Sequence, residues 1–411
     1  MNLNKLLSQY ATLAIKSGVN LQKNQLLVIN ASIDCYEFVH LVAKKAFEAG
    51  AKDVKIKWID DQLSKLKYQY ASDETLASIP QYLIDERQNE IDQKCAYLTV
   101  LSPNPMVFKD VDPKKMQINQ KALGEAFKPF RNYTASSLGQ WSIVLVPNIT
   151  WAKLIYPNLE EQEAVSNLWG KIFICTRVKE DNDLVANWNE HLTKLKTRSS
   201  KLNQDNFKTL HFKNNLGTNL TVDLIDNHIW AGGSEETPEG VVFLPNIPTE
   251  EIFTMPHKYG VNGKVYATKP LNYQGKLIEE FWFEFKNGKV INYGATKNEE
   301  TLKNLLDLDE GSRYLGEVAL ISHYSPISDS QLVFYNTLFD ENASCHLALG
   351  NCYPMNIENG VNMPQGELEK LGANFSLSHS DFMFGSADMS ITATKKTGEE
   401  VVIFKNGDFT F

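Results

Sequence analysis

The stretch Leu26-Leu27-Val28-Ile29-Asn30 begins the first recognisable structural unit of this chain, and an apolar stripe follows it from Tyr36 to Ala49. A continuous apolar run of that length is typical of a strand buried on both faces. In the second segment the apolar side chains recur at helical spacing, and Gly50 stands where a helix would end. The two segments together predict a strand followed by a helix.

The same alternation continues through the first half of the chain. Val54 to Trp58, Cys95 to Leu101 and Ile143 to Val146 have strand patterns, and helical stretches lie between them. Alternating strands and helices indicate a mostly parallel sheet covered by helices. A long charged helix from Asp183 to Leu202 ends this part, and we place a domain boundary at Asn203.

The second half has the pattern of antiparallel strands. Turn sequences typical of hairpins occur at residues 214–217, 287–288 and 406–407, each between β-forming residues, and Leu277 to Phe285 alternates like one strand. The predicted fold is therefore α/β: an N-terminal mostly parallel α/β sheet domain over residues 1–203, followed by a largely antiparallel α+β domain over residues 204–411.

Composition excludes several classes of function. A chain of 411 residues with a formal charge of -9 and a pI near 5.5 has no basic face for nucleic acid. No apolar run approaches the length of a membrane helix, and the N-terminus lacks the pattern of a signal peptide. Five cysteines without C-x-x-C spacing favour a reducing cytoplasm. The glycine-rich loops of nucleotide sites are also missing, and Gly232-Gly233 is better explained by a turn or close backbone approach.

The most informative feature of the second half is a scatter of side chains that can bind metal or assist at a metal site. Two imidazoles with several carboxylates are a ligand set for one or two divalent ions. Two such ions can orient a water and a carbonyl for hydrolysis, so a metallohydrolase is the first hypothesis. The candidates are Glu251, Glu317, Glu341, His346, Tyr353, His379 and Asp381.

Three of these candidates have informative settings. His379 and Asp381 are two residues apart, so on a strand both point to the same face, although Ser-His-Ser-Asp is also typical of a solvated loop. Glu317 lies in an apolar, strand-like run, where a carboxylate is costly to bury unless it is paired or coordinated. Glu317 is therefore the strongest single indication of a metal site.

The other candidates leave alternatives open. His346 lies among apolar residues, where a lone histidine is more often a hydrogen-bonded core residue, but the nearby Glu341 favours a ligand. The Glu250-Glu251 pair also fits the acidic first turn of a helix. Cys345 and Cys352 flank this region but lack the spacing of a thiolate zinc site.

The motifs around these residues resemble those of the thermophilic aminopeptidase T family of metallopeptidases, which includes the bacterial aminopeptidases S and PepS. The matching segments, in order, are Pro248 to Thr254, Leu315 to Leu320, Asp340 to Ala343, His346 with Tyr353, and His379-x-Asp381. The resemblance extends over the whole length, and its specific motifs all lie in the second domain.

The resemblance implies a cytoplasmic, homodimeric metalloaminopeptidase that releases N-terminal residues from short peptides with a free N-terminus. It implies two divalent ions per subunit (Zn, Co, Mn or Mg), with Tyr353 as a catalytic residue. The implied metal ligands are Glu251, Glu317, His346, His379 and Asp381, and Glu341 matches an acidic position of the motif. The N-terminal domain is then expected to serve assembly and access, and to supply no catalytic group.

The chemistry expected of this site assigns roles to two kinds of side chain. Glu317 or Glu251 can accept the proton of the attacking water, and the Tyr353 hydroxyl can stabilise the developing oxyanion. A phosphoesterase is the enzymatic alternative, but it needs basic residues near the ligands, and only Arg313 is close in sequence. A non-enzymatic metal-binding or ligand-binding protein is the other alternative.

Overall fold

The computed structural model describes residues 2–181, 183–273 and 275–411 and divides the chain into two compact units. The first unit comprises the residues up to Glu190 together with Ser234–Pro248, and the second comprises His191–Gly233 and Thr249–Phe411. The division falls inside a long helix, and a later segment of the chain returns to the first unit. The predicted boundary at Asn203 lies near the end of that same helix.

A parallel four-stranded sheet organises the first unit. Its strand order is β2-β1-β3-β4, and every neighbouring pair is parallel. The strands are β1 (Leu26–Ser32), β2 (Asp53–Ile59), β3 (Ala96–Leu101) and β4 (Trp141–Leu145). The helices are α1 (Leu3–Leu13), α2 (Tyr36–Glu48), α3 (Asp61–Tyr70), α4 (Asp73–Ala77), α5 (Gln81–Asp92), α6 (Pro113–Ala126), α7 (Lys128–Ala135), α8 (Ile149–Ile155), α9 (Glu161–Cys175) and α10 (Leu184–Asp205), of which the last extends into the second unit.

The sequence pattern explains this sheet. The strand β1 is almost wholly buried, as its continuous apolar run predicts, whereas β2 lies at the sheet edge and is half exposed. The returning segment extends the sheet beyond β4, because Ile143 donates its N–H to Pro245 and accepts one from Ile247. Two short strands, β7 (Glu235–Glu236) and β8 (Val242–Phe243), form a hairpin within that segment.

An eight-stranded antiparallel sheet forms the larger layer of the second unit, in the order β14-β13-β10-β6-β5-β18-β19-β20. All three predicted hairpin turns are confirmed, since they connect β5 to β6, β13 to β14 and β19 to β20. The strands are β5 (Phe207–Lys213), β6 (Asn219–Leu224), β10 (Pro256–Tyr266), β13 (Trp282–Lys286), β14 (Lys289–Gly294), β18 (Ser390–Lys395), β19 (Glu400–Lys405) and β20 (Asp408–Phe409).

The alternating stretch from Leu277 to Phe285 is β-structure, but it is not one continuous strand. The stretch divides into β12 (Lys276–Ile278), which pairs with β11 (Leu271–Tyr273), and the separate strand β13. Between them Glu280 has a positive φ of 48°, a left-handed conformation that ends an extended strand. The adjacent Glu279 and Glu280 interrupt the alternation at this point, and the buried positions change phase between Ile278 and Phe281.

A second antiparallel sheet of four strands positions the candidate site. Its order is β17-β16-β15-β9, and its strands are β9 (Ile252–Thr254), β15 (Leu315–Leu320), β16 (His346–Gly350) and β17 (His379–Met383). One face packs into the hydrophobic core of the unit through side chains that alternate along these strands: Ile252, Val318, Leu320, Leu347, Leu349 and Phe382. The opposite face is left for polar side chains.

Short helices complete the second unit: α11 (Glu299–Leu306), α12 (Pro326–Asp329), α13 (Thr337–Asp340) and α14 (Gln365–Leu371). A parallel α/β sheet in the first unit and antiparallel sheets with inserted helices in the second confirm the predicted fold class. Within the described ranges, none of the helices combines the length and apolarity needed to cross a bilayer.

Candidate metal centre

The polar face of the four-stranded sheet brings His346, His379 and Asp381 together. His379 and Asp381 lie on the same side of β17, as their i, i+2 spacing predicts, and the solvated-loop alternative is wrong for this pair. His346 is the first residue of β16 and lies opposite Met383 in the ladder, so it belongs to the same face. The imidazole thus enters the site from a strand, not from a helical turn shared with Glu341.

Glu317 reaches the same face from the middle of β15. It lies opposite Ala348, which in turn lies opposite Asp381. The ladder shifts register between Leu315 and Glu317, and the residue at the shift is Gly316, where a Cβ would lie 2.3 Å from the Asn351 carbonyl oxygen. Glycine is required there for close backbone approach, and the bulge directs the neighbouring carboxylate into the site.

Glu251 completes the group from the residue just before β9. A close backbone approach holds this position, because a Cβ on Gly232, whose φ is +136°, would lie 2.3 Å from the Glu251 carbonyl oxygen. The interpretation of the double glycine as a close approach is therefore confirmed. Glu250 has other contacts: its carboxylate lies 3.6 Å from His191 Nε2, and its N–H donates to Asn342.

Two sets of ligand-type atoms result, and Glu317 belongs to both. In the first set, His346 Nε2 lies 3.1 Å from Glu317 Oε1 and 3.3 Å from Glu251 Oε2. In the second, His379 Nε2 lies 3.6 Å from Glu317 Oε2 and 3.2 Å from Asp381 Oδ1. In each set the candidate atoms lie within 4.8 Å of one another. Each oxygen of Glu317 thus faces a different imidazole.

Backbone carbonyls fix both imidazoles with the same nitrogen toward the site. His346 Nδ1 lies 2.9 Å from the Glu341 carbonyl oxygen, and His379 Nδ1 lies 2.6 Å from that of Asn351. A carbonyl oxygen can only accept, so each Nδ1 must donate its proton. In the neutral ring this leaves the Nε2 lone pair toward the carboxylates, which is the tautomer and orientation that metal-ligating histidines adopt.

The spacing and charge of these groups fit divalent ions. Ligand atoms on a tetrahedral ion with bonds of about 2.1 Å lie about 3.4 Å apart, and the four distances above range from 3.1 to 3.6 Å. Glu317 and His346 are only 4% and 1% exposed. Among the described residues, the ion pairs of Glu251, Glu317 and Asp381 are with the two imidazoles and not with lysine or arginine.

The electrostatics of the group favour added positive charge. Burial raises the pKa of Glu251 to about 7, although His346 opposes part of that rise. Burial also disfavours the charged imidazoles, but hydrogen bonds and the nearby carboxylates outweigh it and raise the pKa of His346 to about 9 and that of His379 to about 10. Asp381, although buried, has a lowered pKa because of the same imidazoles. Carboxylates therefore dominate the field in this site.

Glu341 lies beside the two sets but outside them. Burial raises its pKa well above the usual range, and the charges of Asp381, Glu251 and Glu317 add to that rise, which places its carboxylate in the same electrostatic environment. Asn342, the next residue, has a fully buried side chain that accepts from the Glu250 N–H at 2.7 Å and donates to the Leu338 carbonyl oxygen at 3.0 Å.

The Asn342 amide also lies 3.5 Å from Glu341 Oε1. Asn342 thereby connects the segment before Glu251 to the segment of Glu341. The motif from Asp340 to Ala343 contains this asparagine, but the sequence pattern predicted no role for it. Its neighbours along the chain do not reveal that it contacts Glu250.

Tyr353 stands at the edge of the cluster. Its ring centroid is 4.8 Å from that of His379 and 6.1 Å from that of Phe253, and the ring is 41% exposed. Burial of the hydroxyl raises its pKa, and the Glu317 and Asp381 charges add to the rise, so the phenol stays protonated and able to donate.

The competing ligand types do not reach the site. Cys345 and Cys352 are buried, free thiols whose pKa values burial raises to about 12. Neither belongs to a metal-capable group among the described residues. Arg313, the one basic residue close in sequence to a candidate ligand, instead pairs with Asp307 and donates to the Val290 carbonyl oxygen.

Comparison with known proteins assigns the whole chain to a family of metalloproteases. The family model of the thermophilic metalloproteases (M29) matches residues 3–409. The chain belongs to that family. Aminopeptidase 2 of Geobacillus stearothermophilus is 45% identical over 407 residues, covering 99% of this chain and 98% of that protein. Aminopeptidase AmpS of Bacillus subtilis (strain 168) is 44% identical, covering 98% of each chain.

A solved structure of a related protein has the same fold. The wild-type AmpT from Thermus thermophilus matches with a TM-score of 0.92 and 36% identity, covering all of both chains. The predicted resemblance and the predicted class of enzyme, a metalloprotease related to aminopeptidases, are therefore confirmed.

Proposed function

We propose that this chain is an aminopeptidase whose activity requires two divalent metal ions, held by Glu251, Glu317, His346, His379 and Asp381. The observation that supports this most strongly is the pair of ligand sets that share Glu317, with one oxygen near each imidazole. Glu317 would serve both ligand sets at once, with one oxygen in each. Glu341 is proposed as a further acidic residue of the site.

The charge balance supports two ions and not one. Four carboxylates, those of Glu251, Glu317, Glu341 and Asp381, surround two imidazoles that are neutral when they ligate. Two divalent cations neutralise four carboxylates, whereas one leaves two negative charges buried in a low-dielectric site. Zinc, cobalt, manganese and magnesium are the candidate native ions.

Bound ions in such a site supply Lewis acidity for the scissile carbonyl and lower the pKa of water. The protein's own groups do the rest. Glu251 is the carboxylate better placed to accept a proton from the attacking water and return it to the leaving amine as the C–N bond breaks, because both oxygens of Glu317 face the ligand sets. The Tyr353 hydroxyl donates to the oxygen that becomes negatively charged when water adds to the carbonyl. The Glu341 carboxylate lies beside the two ligand sets but outside them, so it is available to hydrogen-bond the free α-amine of a substrate.

The rest of the assignment follows the family. Short peptides with a free N-terminus are the proposed substrates, as the names of the related aminopeptidases suggest. Five free, buried cysteines support a reducing, cytoplasmic setting. The homodimer and the role of residues 1–203 in assembly and access stay predictions. His191, which belongs to that segment, lies near Glu251 in the structure, because its Nε2 is 2.8 Å from the Thr249 carbonyl oxygen.

One experiment separates the candidate functions. Chelator-treated protein is reloaded with Zn²⁺, Co²⁺, Mn²⁺ or Mg²⁺, and bound metal is counted while three substrates are assayed: leucine 4-nitroanilide, its N-acetylated form and 4-nitrophenyl phosphate. We expect about two ions per chain and hydrolysis of the first substrate alone. Hydrolysis of the acetylated compound would contradict recognition of the free amine, and hydrolysis of the phosphate would favour the phosphoesterase. Binding of a single ion at full activity would overturn the two-ion proposal, and metal binding without any hydrolysis would favour the binding protein.

A further inference from the structure

A small cavity opens beside the candidate metal centre. Its volume is about 50 Å³, and its lining combines acidic residues (Asp340, Glu341 and Asp381), apolar or aromatic residues (Pro270, Leu271, Tyr335 and Met383) and neutral polar residues (Asn272, Asn336 and Thr337). All of them belong to the second unit. Asp381 and Glu341 line this cavity and also belong to the group of carboxylates at the candidate metal centre, so the cavity and the centre adjoin.

The strand β17 connects the cavity to the cluster. Residues alternate along a strand, so Met383 lies on the same side as Asp381 and His379, one step further along. Leu271, at the start of β11, faces the cavity from the neighbouring hairpin and packs against the hydrophobic core. The cavity therefore has carboxylates at one end, and the rest of its lining combines apolar side chains with the polar Asn272, Asn336 and Thr337.

Tyr335 closes the cavity from a strained backbone. Its φ is +55°, a left-handed conformation that is rare for a bulky residue. The buried carboxylate of Asp340 stabilises the turn, because it accepts the N–H of Phe334 at 2.7 Å and that of Asn336 at 3.1 Å. Backbone strain of this kind persists where the surroundings over-determine it, and it is frequent at binding sites.

We propose that this cavity receives the side chain of the substrate's N-terminal residue, and that Leu271, Tyr335 and Met383 set the size it accepts. The inference rests on the proposed aminopeptidase function. An N-terminal residue carries an amine and a side chain on one carbon, which matches a cavity that has carboxylates at one end and the side chains of Leu271, Tyr335 and Met383 in its lining. The shared Asp381 connects the metal-capable group to this cavity.

The size and charge of the cavity define the class of substrate. One water-sized group needs about 10–15 Å³ of such volume, so the cavity accepts about four groups of that size. This corresponds to an aliphatic side chain such as that of valine, leucine or methionine. Aromatic side chains exceed the space, and an acidic side chain would lose its hydration there without a lysine or arginine in the cavity lining to pair with it.

The test compares kcat/KM for the 4-nitroanilides of alanine, leucine, phenylalanine and glutamate. We expect the parent enzyme to favour leucine over phenylalanine and glutamate by about 10-fold or more. Leu271→Ala should raise the phenylalanine-to-leucine ratio about 10-fold, and Leu271→Phe should lower the leucine-to-alanine ratio by a similar factor. Tyr335→Asn removes the ring but keeps a residue that tolerates left-handed backbone, so it should widen the cavity without unfolding the turn.

Controls and outcomes distinguish this inference from the function on which it rests. Leu216→Ala and Tyr259→Asn alter exposed residues of the second unit outside the cavity and should leave every ratio within about twofold. If the metal-loaded parent hydrolyses no compound of the panel, the proposed function and the cavity assignment both fail. If the parent is active but neither the Leu271 nor the Tyr335 variants change the ratios at normal metal content, only the cavity assignment is overturned.

Discussion

Two buried carboxylates, one in each unit, are held in different ways. Glu90 in α5 is 0% exposed and has its own cations: Lys57 Nζ lies 2.6 Å from one oxygen and Arg87 Nη1 lies 3.0 Å from the other. Glu317 in β15 is almost as buried, but its ion-pair partners are His346 and His379. A lysine and an arginine neutralise Glu90 permanently, whereas imidazoles do so only while they are protonated.

The difference indicates which carboxylate has a structural role and which needs a ligand. Burying an unpaired charge is costly, so a fold either supplies a counter-ion or leaves the site to be neutralised from outside. Around Glu90 the first solution applies, and Arg87 also lies 4.3 Å from the Phe130 ring centroid. Around Glu317 the carboxylates outnumber the imidazoles, and added cations are the second solution.

The largest expected effect comes from Glu317→Gln. The amide keeps the shape but removes the charge that both ligand sets share, so bound metal should fall well below two ions per chain. Loss of the Lewis-acid contribution of several kcal/mol should lower kcat/KM by more than about 10³-fold. Without metal, the free energy of unfolding should stay equal or rise, because a buried charge is gone. Metal analysis and denaturant unfolding with a chelator measure these effects.

A matched control is Glu358→Gln, which changes an exposed glutamate of the same unit and should alter neither metal content nor kcat/KM. If Glu317→Gln retains two ions and parent-like turnover, Glu317 is not a required metal ligand, and its difference from Glu90 does not reflect metal binding.

Tyr353→Phe is expected to have the next largest effect. The variant keeps the ring that contacts His379 and Phe253 and removes only the hydroxyl. Loss of one oxyanion donor costs on the order of 10²–10³ in kcat, with KM and metal content nearly unchanged. Steady-state kinetics at saturating metal measures the effect. A kcat within a few-fold of the parent would assign the ring to packing.

The contrast between Glu90 and Glu317 also shows what sequence alone can predict. Glu317 is conspicuous because its neighbours along the strand are apolar, so burial follows from local sequence. Glu90 lies in a polar helix, and its burial depends on tertiary contacts, such as that of the Tyr97 hydroxyl 3.4 Å from its carboxylate. The alternation of strands and helices predicted the parallel sheet, and the turn sequences predicted the hairpins, because both signals lie in residues that are close together in the chain.

Features that depend on distant contacts were not predictable. Residues 234–248 join the first unit through hydrogen bonds of Pro245 and Ile247 to Ile143. No local sequence pattern predicts these hydrogen bonds. The choice between Glu250 and Glu251 depends on Gly232, whose close approach fixes the backbone at Glu251 from about twenty residues away in the chain. Amino-acid composition and hydrophobic periodicity do not predict contacts between residues that are far apart in the chain.

Asn342→Asp tests such a remote contact and should have an intermediate effect. Aspartate keeps an acceptor for the Glu250 N–H but loses the donors to Leu338 and Glu341, and it adds a negative charge near Glu341. Changes in groups that orient metal ligands typically weaken metal affinity 10–100-fold, which titration against a chelating dye can measure.

The matched control is Asn119→Asp, a buried asparagine of the first unit that donates to the Leu76 carbonyl oxygen. It should lower the free energy of unfolding and leave metal affinity within about twofold. Equal metal affinities in both variants would show that Asn342 stabilises the fold without positioning the ligands.

The smallest expected effect on metal binding is that of Arg87→Met, which removes one of the two cations beside Glu90. A buried acceptor left partly unsatisfied costs about 1–3 kcal/mol of unfolding free energy, but metal affinity and kcat/KM should not change. Adding Glu90→Met should recover much of the lost stability, because a buried pair can be replaced by apolar side chains at little cost, and Lys57 keeps Glu86 as a partner at 2.9 Å. Denaturant unfolding of both variants, with and without metal, measures this. A loss of metal from Arg87→Met would show that the two carboxylate sites are coupled, and the distinction between a self-neutralised charge and a ligand-requiring one would fail.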